Sequence, residues 1–132
     1  MLEKIFGKRE PVKRVLIVED DAMLSRVLSE SLKAEKFKIE VVADGSLVLS
    51  EAIKFQPHIV LLDLILPGID GFEVLKQLKE ETKTSDIPVV VLSNLDQVSD
   101  VKSVKALGAE QYFLKATTEI EVIVNYVKDK LK

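Results

Sequence analysis

The chain contains no cysteine and only one histidine. The absence of cysteine excludes a disulfide framework, a thiol nucleophile and a thiolate metal site, and one histidine cannot build a histidine-rich metal centre. No apolar run approaches the length of a membrane span, and the first residues lack the apolar core of a signal peptide. We therefore expect a soluble, cytoplasmic protein that makes no contact with membranes.

Neither sign of charge dominates the sequence. The 132 residues carry 22 acidic and 19 basic side chains, which gives a net charge of -3 at pH 7. This balance provides no bulk electrostatic reason to bind nucleic acid, so we expect no direct contact with it. The hydrophobic fraction of 47% is typical of a folded globular protein, and the length fits one domain with a single core.

The most informative stretch runs from His58 to Asp63. Its four central residues are consecutive aliphatic side chains, which is typical of a central parallel strand buried on both faces. Such a strand delivers its last residue to the carboxyl edge of the sheet, where open α/β sheets bind their ligands. Asp63 stands at that position, followed by the turn-rich loop 64–71. A carboxylate in an apolar setting needs a compensating cation.

Predicted strands and helices alternate along the chain. In the first helix, Val27 is expected to point toward the core. Ser46 is expected to cap the second helix, and Thr117 or Thr118 is expected to cap the last one. The apolar runs predict strands, and the helical periodicities predict helices. The predicted strands are 14–18, 37–43, 58–63, 87–92 and 111–114, and the first four helices are 22–36, 46–55, 72–81 and 96–107.

This alternation predicts an α/β fold with a doubly wound, five-stranded parallel sheet. A flavodoxin-like (βα)5 arrangement with strand order 2-1-3-4-5 fits the length. We assign residues 13–132 to this domain and residues 1–12 to an N-terminal extension. The extension could form a short helix on the domain or a frayed terminus, and we expect it to be frayed or loosely docked.

Charged and polar side chains follow four of the five predicted strands. Glu19 and Asp20 follow the first, Asp63 ends the third, and Ser93 and Lys115 follow the fourth and fifth. The carboxyl ends of parallel strands meet at one edge of a sheet, so we expect these side chains to lie together. Clustered carboxylates require a cation, and an all-oxygen ligand set favours Mg²⁺ or Mn²⁺. Asp63 is then a candidate nucleophile that forms an acyl phosphate.

With these residues in place, the sequence resembles the receiver domain of two-component response regulators, the family that includes single-domain, chemotaxis-type receivers. The resemblance extends from residue 13 to the C-terminus. It depends on matching stretches that occur in the family's order, at 15–21, 59–63, 66–71, 91–93 and 112–115.

The resemblance implies a role for each residue at the predicted site. It implies that Asp63 is the phosphoacceptor and that Glu19, Asp20, Asp63 and the backbone carbonyl of Ile65 bind Mg²⁺ or Mn²⁺. It further implies that Ser93 and Lys115 contact the phosphoryl group. In the family an aromatic residue three positions before the lysine reorients on phosphorylation, and here that residue is Tyr112, which with Ser93 would form the switch.

The implied function is that of a phosphoacceptor signalling module, not of a turnover enzyme. The chain would promote only its own phosphorylation and dephosphorylation. Its implied partners are a histidine kinase or histidine phosphotransfer protein and a downstream protein target. Partner binding would change through the face formed by the fourth helix, fifth strand and fifth helix, the face through which receivers also form homodimers.

Four positions need separate comment, two that depart from the family pattern and two that flank the phosphoryl group. Ala116 follows the lysine where the family usually has proline, so we expect a trans bond and an altered loop there. Asn94 follows Ser93 where alanine is commoner. Ile65 and Leu95 flank the position of the phosphoryl group, and neither side chain can orient a water molecule, which predicts slow self-dephosphorylation.

Other functions remain open at this stage. A degenerate receiver that binds partners without phosphorylation is compatible with Ala116 and Asn94. A haloacid-dehalogenase-like phosphatase would need a second aspartate at Ile65, and an FMN carrier would need a phosphate-binding first loop, not the acidic loop that begins at Glu19.

Several polar residues have simpler interpretations. Asp21 is expected to cap the first helix, and His58 is expected to be structural because it lies at the edge of the sheet opposite the site. A set of lysines is most simply a solvated surface. Its members are Lys102, Lys105, Lys128, Lys130 and Lys132.

Overall fold

Five parallel strands form one sheet in the order β2-β1-β3-β4-β5, as the sequence predicts. The computed structural model describes residues 11–95 and 98–132. The strands are β1 (Arg14–Val18), β2 (Lys38–Val42), β3 (Ile59–Leu62), β4 (Val89–Ser93) and β5 (Gln111–Leu114). The helices are α1 (Ala22–Ala34), α2 (Val48–Phe55), α3 (Gly71–Glu80), α4 (Val98–Ala106) and α5 (Ile120–Lys130).

The central strands form because their side chains can be buried on both faces. β1, β3 and β4 consist almost entirely of branched aliphatic residues, and Val15, Ile59 and Val90 are each fully buried. Alternate residues of these strands point to opposite faces and enter two separate core clusters. Helices α1 and α5 pack on one face, and α2, α3 and α4 pack on the other. The doubly wound arrangement follows from this two-sided burial.

The helix ends show where local sequence signals were misleading. The prediction that Ser46 caps the second helix is wrong: Asp44 accepts a hydrogen bond from the Ser46 backbone N–H at 2.8 Å, at the start of a 3-10 turn. The predicted threonine cap of the last helix is also wrong, because Glu119 occupies the N-cap position and makes no side-chain cap. Asp21 does cap α1, accepting from the backbone of Met23 and Leu24.

The burial of α1 differs from the prediction at one position. Leu28 and Leu32 are fully buried, as expected, but Val27 keeps 40% of its surface exposed. The helical period places Val27 one residue away from the inward stripe, toward the boundary with α5. The first residues of the N-terminal extension, 1–10, and the predicted start of the fourth helix at 96–97 lie outside the described residues, and the domain boundary after residue 12 stays a prediction.

His58 lies at the amino edge of the sheet and has the structural role expected from the sequence. The ring Nδ1 of His58 accepts a hydrogen bond from the Arg14 backbone N–H at 3.0 Å, and the backbone N–H of His58 donates to the Arg14 carbonyl at 2.8 Å. Burial, reinforced by the charges of Arg14 and Lys13, lowers the pKa of His58, which favours the neutral ring that this contact requires. None of the described helices has the length and apolar character needed to cross a membrane.

A carboxylate on the edge strand β2 is poorly accommodated. One oxygen of Glu40, Oε2, is buried and has no hydrogen-bond partner among the described residues. Burial raises the pKa of Glu40, and the nearby Glu51 carboxylate raises it further, against the opposing effect of Lys54 and Lys38. The folded state therefore binds the Glu40 proton more tightly than the unfolded state does. This tighter proton binding contributes to the free energy of unfolding at low pH, and the contribution is lost as the pH rises above the ordinary carboxyl range.

We predict that Glu40→Gln stabilises the protein at pH 7 by about 1 kcal/mol, because it removes a poorly solvated charge beside Glu51. Urea unfolding measures the gain, which should shrink near pH 4, where Glu40 binds its proton. The exposed Glu80 on α3 is a matched control, and Glu80→Gln should change little at either pH. An equal gain at both pH values, or a loss at pH 7, would contradict the assignment.

Candidate functional site

The ends of four strands converge at the carboxyl edge of the sheet. Parallel pairing sets Val18 of β1 beside Leu62 of β3, and backbone hydrogen bonds continue one residue beyond the strands. The Asp63 N–H donates to the Val18 carbonyl at 2.9 Å, and the Lys115 N–H donates to the Ser93 carbonyl at 2.9 Å. The polar residues that follow the strands are thereby fixed to neighbouring positions, as the sequence predicts.

Three carboxylates form a compact cluster at this edge. Glu19, Asp20 and Asp63 each contribute an oxygen, and these oxygens all lie within 4.8 Å of one another. Glu19 is only 3% exposed and Asp63 only 5%, whereas Asp20 faces solvent. The cluster is therefore a shallow site with two buried acids at its base and one acid at its rim.

Lys115, which the sequence analysis assigned to the phosphoryl group, lies directly against two of the carboxylates. Its Nζ lies 2.5 Å from Glu19 Oε1 and 3.0 Å from Asp63 Oδ2, and its side chain is 17% exposed. Burial by itself would lower the pKa of Lys115, but the contacts with Glu19 and Asp63 outweigh burial and raise the pKa above its ordinary value. The ammonium therefore stays charged throughout the physiological range.

One ammonium does not balance three carboxylates. Burial raises the pKa of Glu19, and the charge of Asp63 adds to this effect, while Lys115 and the Asp21 N–H act against it. The Asp21 N–H donates to Glu19 Oε2 at 3.1 Å. Burial is the main cause of the raised pKa, and the neighbouring Asp63 charge is a smaller one. The three carboxylates still outnumber the one ammonium, and a further cation would balance their charge. The oxygen-only ligand set fits a small, hard divalent ion.

Gly71, to which the sequence analysis gave no separate role, shapes the loop after Asp63. A Cβ atom at this position would lie 2.4 Å from the Asp63 carbonyl oxygen and 2.4 Å from the Leu64 Cα. The Gly71 N–H donates to the Leu64 carbonyl at 2.8 Å, so the start of α3 packs directly on the backbone that carries Asp63. The sequence feature that could have indicated this close approach is a glycine immediately after the helix cap, Asp70.

Ser93 and Tyr112 are linked through the backbone of Leu95. Ser93 is fully buried, and its Oγ accepts a hydrogen bond from the Leu95 N–H at 3.4 Å. The Tyr112 hydroxyl donates to the Leu95 carbonyl, and its half-buried ring packs against the core cluster under α3 and α4. Both residues therefore contact the same loop, which follows β4 at the edge of the site.

The remaining predicted positions lie around this cluster. Ile65 is 58% exposed, and its N–H donates to Asp63 Oδ1 at 3.3 Å. Leu95 is half-buried, and Asn94 is exposed. The peptide bond between Lys115 and Ala116 is trans, as expected, and every other peptide bond of the described residues is trans as well. The lysines predicted to form a solvated surface are exposed.

Comparison with known proteins identifies one family. Residues 15–128 match the family model described as the response regulator receiver domain. The chain is 35% identical over 102 residues to the DNA-binding dual master transcriptional regulator RpaA of Synechocystis sp.. The match covers 77% of this chain and 42% of RpaA, so the chain spans less than half the length of that relative.

Solved structures give the same result. The BeF3-activated N-terminal receiver domain of Klebsiella pneumoniae RstA superposes with a TM-score of 0.83 at 27% identity, covering 91% of this chain and 99% of that domain. The Mn(2+)-bound form of the response regulator Rcp1 superposes with a TM-score of 0.72 at 30% identity, covering 89% and 90% of the two chains.

We predict that Lys115→Met destabilises the protein by about 3 kcal/mol in the absence of divalent cations, because it leaves two buried carboxylates without a counter-ion. The exposed ion pair of Lys128 with Glu35, at 3.2 Å, provides the control. Lys128→Met should cost less than about 1 kcal/mol. Urea unfolding of both variants measures the difference, and equal losses would show that the Lys115 contacts contribute no more than a surface pair.

Proposed function

The chain belongs to the response regulator receiver domain family, and on that basis we propose that it is the phosphoacceptor module of a two-component phosphorelay, with Asp63 as the residue that is phosphorylated. The observation that carries the proposal is the environment of Asp63. A nearly buried carboxylate at a strand end lies within hydrogen-bond distance of an ammonium and beside two further acids. Such an arrangement suits transfer of a phosphoryl group to a carboxylate.

Glu19, Asp20 and Asp63 would hold Mg²⁺ or Mn²⁺, with the Ile65 carbonyl as a further ligand. Support comes from the spacing of the three carboxylates and from the fact that the single ammonium of Lys115 does not balance their charge. When bound, the ion supplies positive charge for the phosphoryl oxygens. The related Rcp1 has been described in a Mn(2+)-bound form, which is consistent with this ligand set.

The proposed reaction is an in-line displacement at phosphorus. An oxygen of the Asp63 carboxylate forms a bond to phosphorus while the bond from phosphorus to the donor nitrogen or oxygen breaks, and the leaving group takes the electron pair. Lys115, now paired with Asp63 at 3.0 Å, would turn to a phosphoryl oxygen. The Ser93 hydroxyl, whose oxygen now accepts from the Leu95 N–H at 3.4 Å, would donate its proton to another phosphoryl oxygen.

This contact suggests how phosphorylation changes partner binding. Ser93 and Tyr112 both bind the backbone of Leu95, so movement of the Ser93 hydroxyl toward a phosphoryl group would disturb the loop that holds the Tyr112 hydroxyl. The consequence would appear on the face formed by α4, β5 and α5, where a downstream protein or a second copy could bind. The proposed module promotes only its own phosphorylation and dephosphorylation and does not turn over a substrate.

The proposed phosphodonor is a cytoplasmic histidine kinase or a histidine phosphotransfer protein. The relative RpaA is described as DNA-binding, but this chain spans only 42% of it. The output is therefore proposed at the level of the receiver alone, as a change in affinity for a protein target and without direct nucleic-acid contact.

A second candidate function is a degenerate receiver that binds partners without being phosphorylated. Ala116 and the exposed Asn94 favour it, since both depart from the family pattern beside the site. Neither departure removes a carboxylate or the ammonium from the cluster, and phosphorylation is therefore the preferred function.

We predict that incubation with Mg²⁺ and acetyl phosphate adds one phosphoryl group, detected by intact-mass spectrometry. Asp63→Asn should abolish the adduct, and chelation of the metal should abolish it in the unchanged protein. Asp129→Asn, at an exposed position on α5, is the matched control and should leave the adduct intact. An unmodified protein under all conditions would favour the degenerate receiver, and an adduct that survives Asp63→Asn would reject Asp63 as the phosphoacceptor.

We also predict that the phosphorylated protein loses its phosphoryl group slowly, because neither Ile65 nor Leu95 can orient an attacking water. The double substitution Ile65→Asn, Leu95→Glu should accelerate hydrolysis by about tenfold or more, equivalent to lowering the barrier by about 1.4 kcal/mol. Decay of the phosphorylated mass after removal of the donor measures the rate. Val122→Asn, at an exposed apolar position on α5, should leave the rate unchanged. Equal rates for all three proteins would overturn the prediction.

A further inference from the structure

The turn that joins β2 to α2 lies beside the candidate site but contributes none of its proposed ligands. This β2–α2 turn consists of residues 43–47. Immediately before it, the Val42 carbonyl accepts a hydrogen bond from the backbone N–H of Glu19 at 3.0 Å. Glu19 is one of the two buried acids of the site. The start of the turn is therefore fixed directly to the backbone of one proposed metal ligand.

Gly45, within this turn, lies against the β3–α3 loop (residues 63–70). The Gly45 N–H donates to the Pro67 carbonyl at 3.0 Å. A Cβ atom at Gly45 would lie 1.8 Å from the Ile69 carbonyl oxygen and 3.2 Å from Cγ2 of Val74 on α3. Gly45 is buried, and its φ angle is not positive. Glycine is therefore required here to leave space for the loop, and not to permit an unusual backbone conformation.

A methyl group at Gly45 would push the turn and the loop apart. The atom that it would meet first belongs to the backbone of Ile69, which cannot turn aside as a flexible side chain can. Cβ atoms in proteins essentially never lie closer than 3.0 Å to such an atom. Gly45→Ala would therefore have to separate the two segments by about 1 Å.

The loop approaches the turn through a glycine of its own. Gly68 has a φ angle of +80°, and a Cβ atom there would lie 2.2 Å from Asp44 Oδ1. The Asp44 carboxylate is held in place by Ser46, whose backbone N–H and hydroxyl donate to Oδ1 at 2.8 and 2.6 Å. Each of the two segments thus uses a glycine to come close to the other.

The loop held in this way carries Ile65, whose carbonyl is a proposed metal ligand. The Ile65 side chain is 58% exposed, and neither core cluster of the described residues includes it, so side-chain packing does not fix its position. Its N–H donates to Asp63 Oδ1 at 3.3 Å. The two ends of the loop are joined by the hydrogen bond from the Gly71 N–H to the Leu64 carbonyl. Contact with the β2–α2 turn, at Pro67, therefore lies only two residues from Ile65.

Magnesium tolerates little distortion of its ligands, since it requires near-ideal octahedral geometry with ligand atoms at about 2.1 Å. A shift of the loop that moves the Ile65 carbonyl relative to the carboxylates therefore weakens binding even when every ligand atom is still present. Groups that orient a ligand without binding the metal commonly change metal affinity by about 10- to 100-fold when they are altered.

We propose that Gly45 is a positioning residue for the metal site. By allowing the β2–α2 turn to touch the β3–α3 loop, it sets the distance between the Ile65 carbonyl and the carboxylates, and thereby the affinity for Mg²⁺. This inference rests on the proposed function, in which the three carboxylates and the Ile65 carbonyl bind the ion. Gly45 supplies no ligand atom and acts only through the loop.

Isothermal titration calorimetry of the full chain with Mg²⁺ tests the proposal, with circular dichroism to establish that each variant is folded. Gly45→Ala should raise the dissociation constant for Mg²⁺ by about tenfold or more. Gly108→Ala is the matched control, because Gly108 precedes β5 at the opposite edge of the sheet. Its φ angle is +108°, and a Cβ atom there meets the Lys79 side chain at 3.1 Å, so the substitution strains the fold far from the site. It should change the dissociation constant by less than about twofold.

The Mg²⁺ dependence of phosphorylation separates positioning from a general structural defect. With acetyl phosphate as the donor, Gly45→Ala should need about tenfold more Mg²⁺ for the half-maximal rate of adduct formation. At saturating Mg²⁺ its rate should return to within about twofold of that of the unchanged protein, because Asp63, Ser93 and Lys115 are all retained. A substitution that only destabilised the fold would leave the half-maximal Mg²⁺ concentration unchanged.

Two substitutions of Asp44 test the same contact without adding a methyl group. Asp44→Ala should weaken Mg²⁺ binding by about threefold, since it removes the acceptor of two local hydrogen bonds and opens the contact with Gly68. Asp44→Asn keeps the size of the side chain and its acceptor oxygen but removes the charge. It should leave the affinity for Mg²⁺ unchanged, so the pair distinguishes packing from electrostatics.

Four results would count against the proposal in different ways. Unchanged Mg²⁺ affinity in folded Gly45→Ala would reject the positioning role, and equal weakening by Gly108→Ala would show a general loss of stability. Equal weakening by both Asp44 substitutions would assign the effect to charge. Absence of Mg²⁺ binding by the unchanged protein would reject the proposed metal site itself, which is distinct from failure of the positioning role alone. Weakening by Gly45→Ala and Asp44→Ala, with both control variants unaffected, supports the proposal.

Discussion

The ion pairs of Lys115 with Glu19 and Asp63 join the ends of three strands at the carboxyl edge of the sheet. Burying two carboxylates is costly, and a single ammonium at 2.5 and 3.0 Å offsets much of that cost. The same contacts hold the residues after β1, β3 and β5 in fixed relative positions. The site is therefore stable enough to fold yet retains an excess of negative charge, which is the physical basis for expecting it to bind a cation.

The sheet supports this edge because its central strands are buried on both faces. β1, β3 and β4 direct alternate side chains into two cores, so a shift of any of these strands would disrupt the packing on both faces of the sheet. The loops at the carboxyl edge rest on this rigid frame. Gly71 brings α3 against the backbone of Asp63 and Leu64, and the loop after β4 carries the contacts of Ser93 and Tyr112. Rigid strands and adjustable loops are the combination that a conformational switch requires.

Elements whose physical cause is local could be predicted from the sequence, and features for which several local solutions were equally good could not. Aliphatic runs identified the strands, because only two-sided burial explains four consecutive branched side chains. The helix caps were less predictable. Asp44, rather than Ser46, accepts the hydrogen bond at the start of the 3-10 turn, and both residue types are good caps. Val27 was assigned to the core by spacing alone, but the packing of α5 leaves it at the border of an open groove.

The sequence by itself determined the alternation of buried strands and amphipathic helices, and through it the parallel α/β architecture and the set of residues expected at the carboxyl edge, because the pattern of apolar residues encodes strand burial. The strand order was predicted from the doubly wound fold type that fits this length, and the sheet has that order. Tertiary structure decided how that set is arranged. Glu19 and Asp63 are buried and share Lys115, whereas Asp20 faces solvent. Burial and ion pairing depend on distances between segments far apart in the chain, and no local pattern specifies those distances.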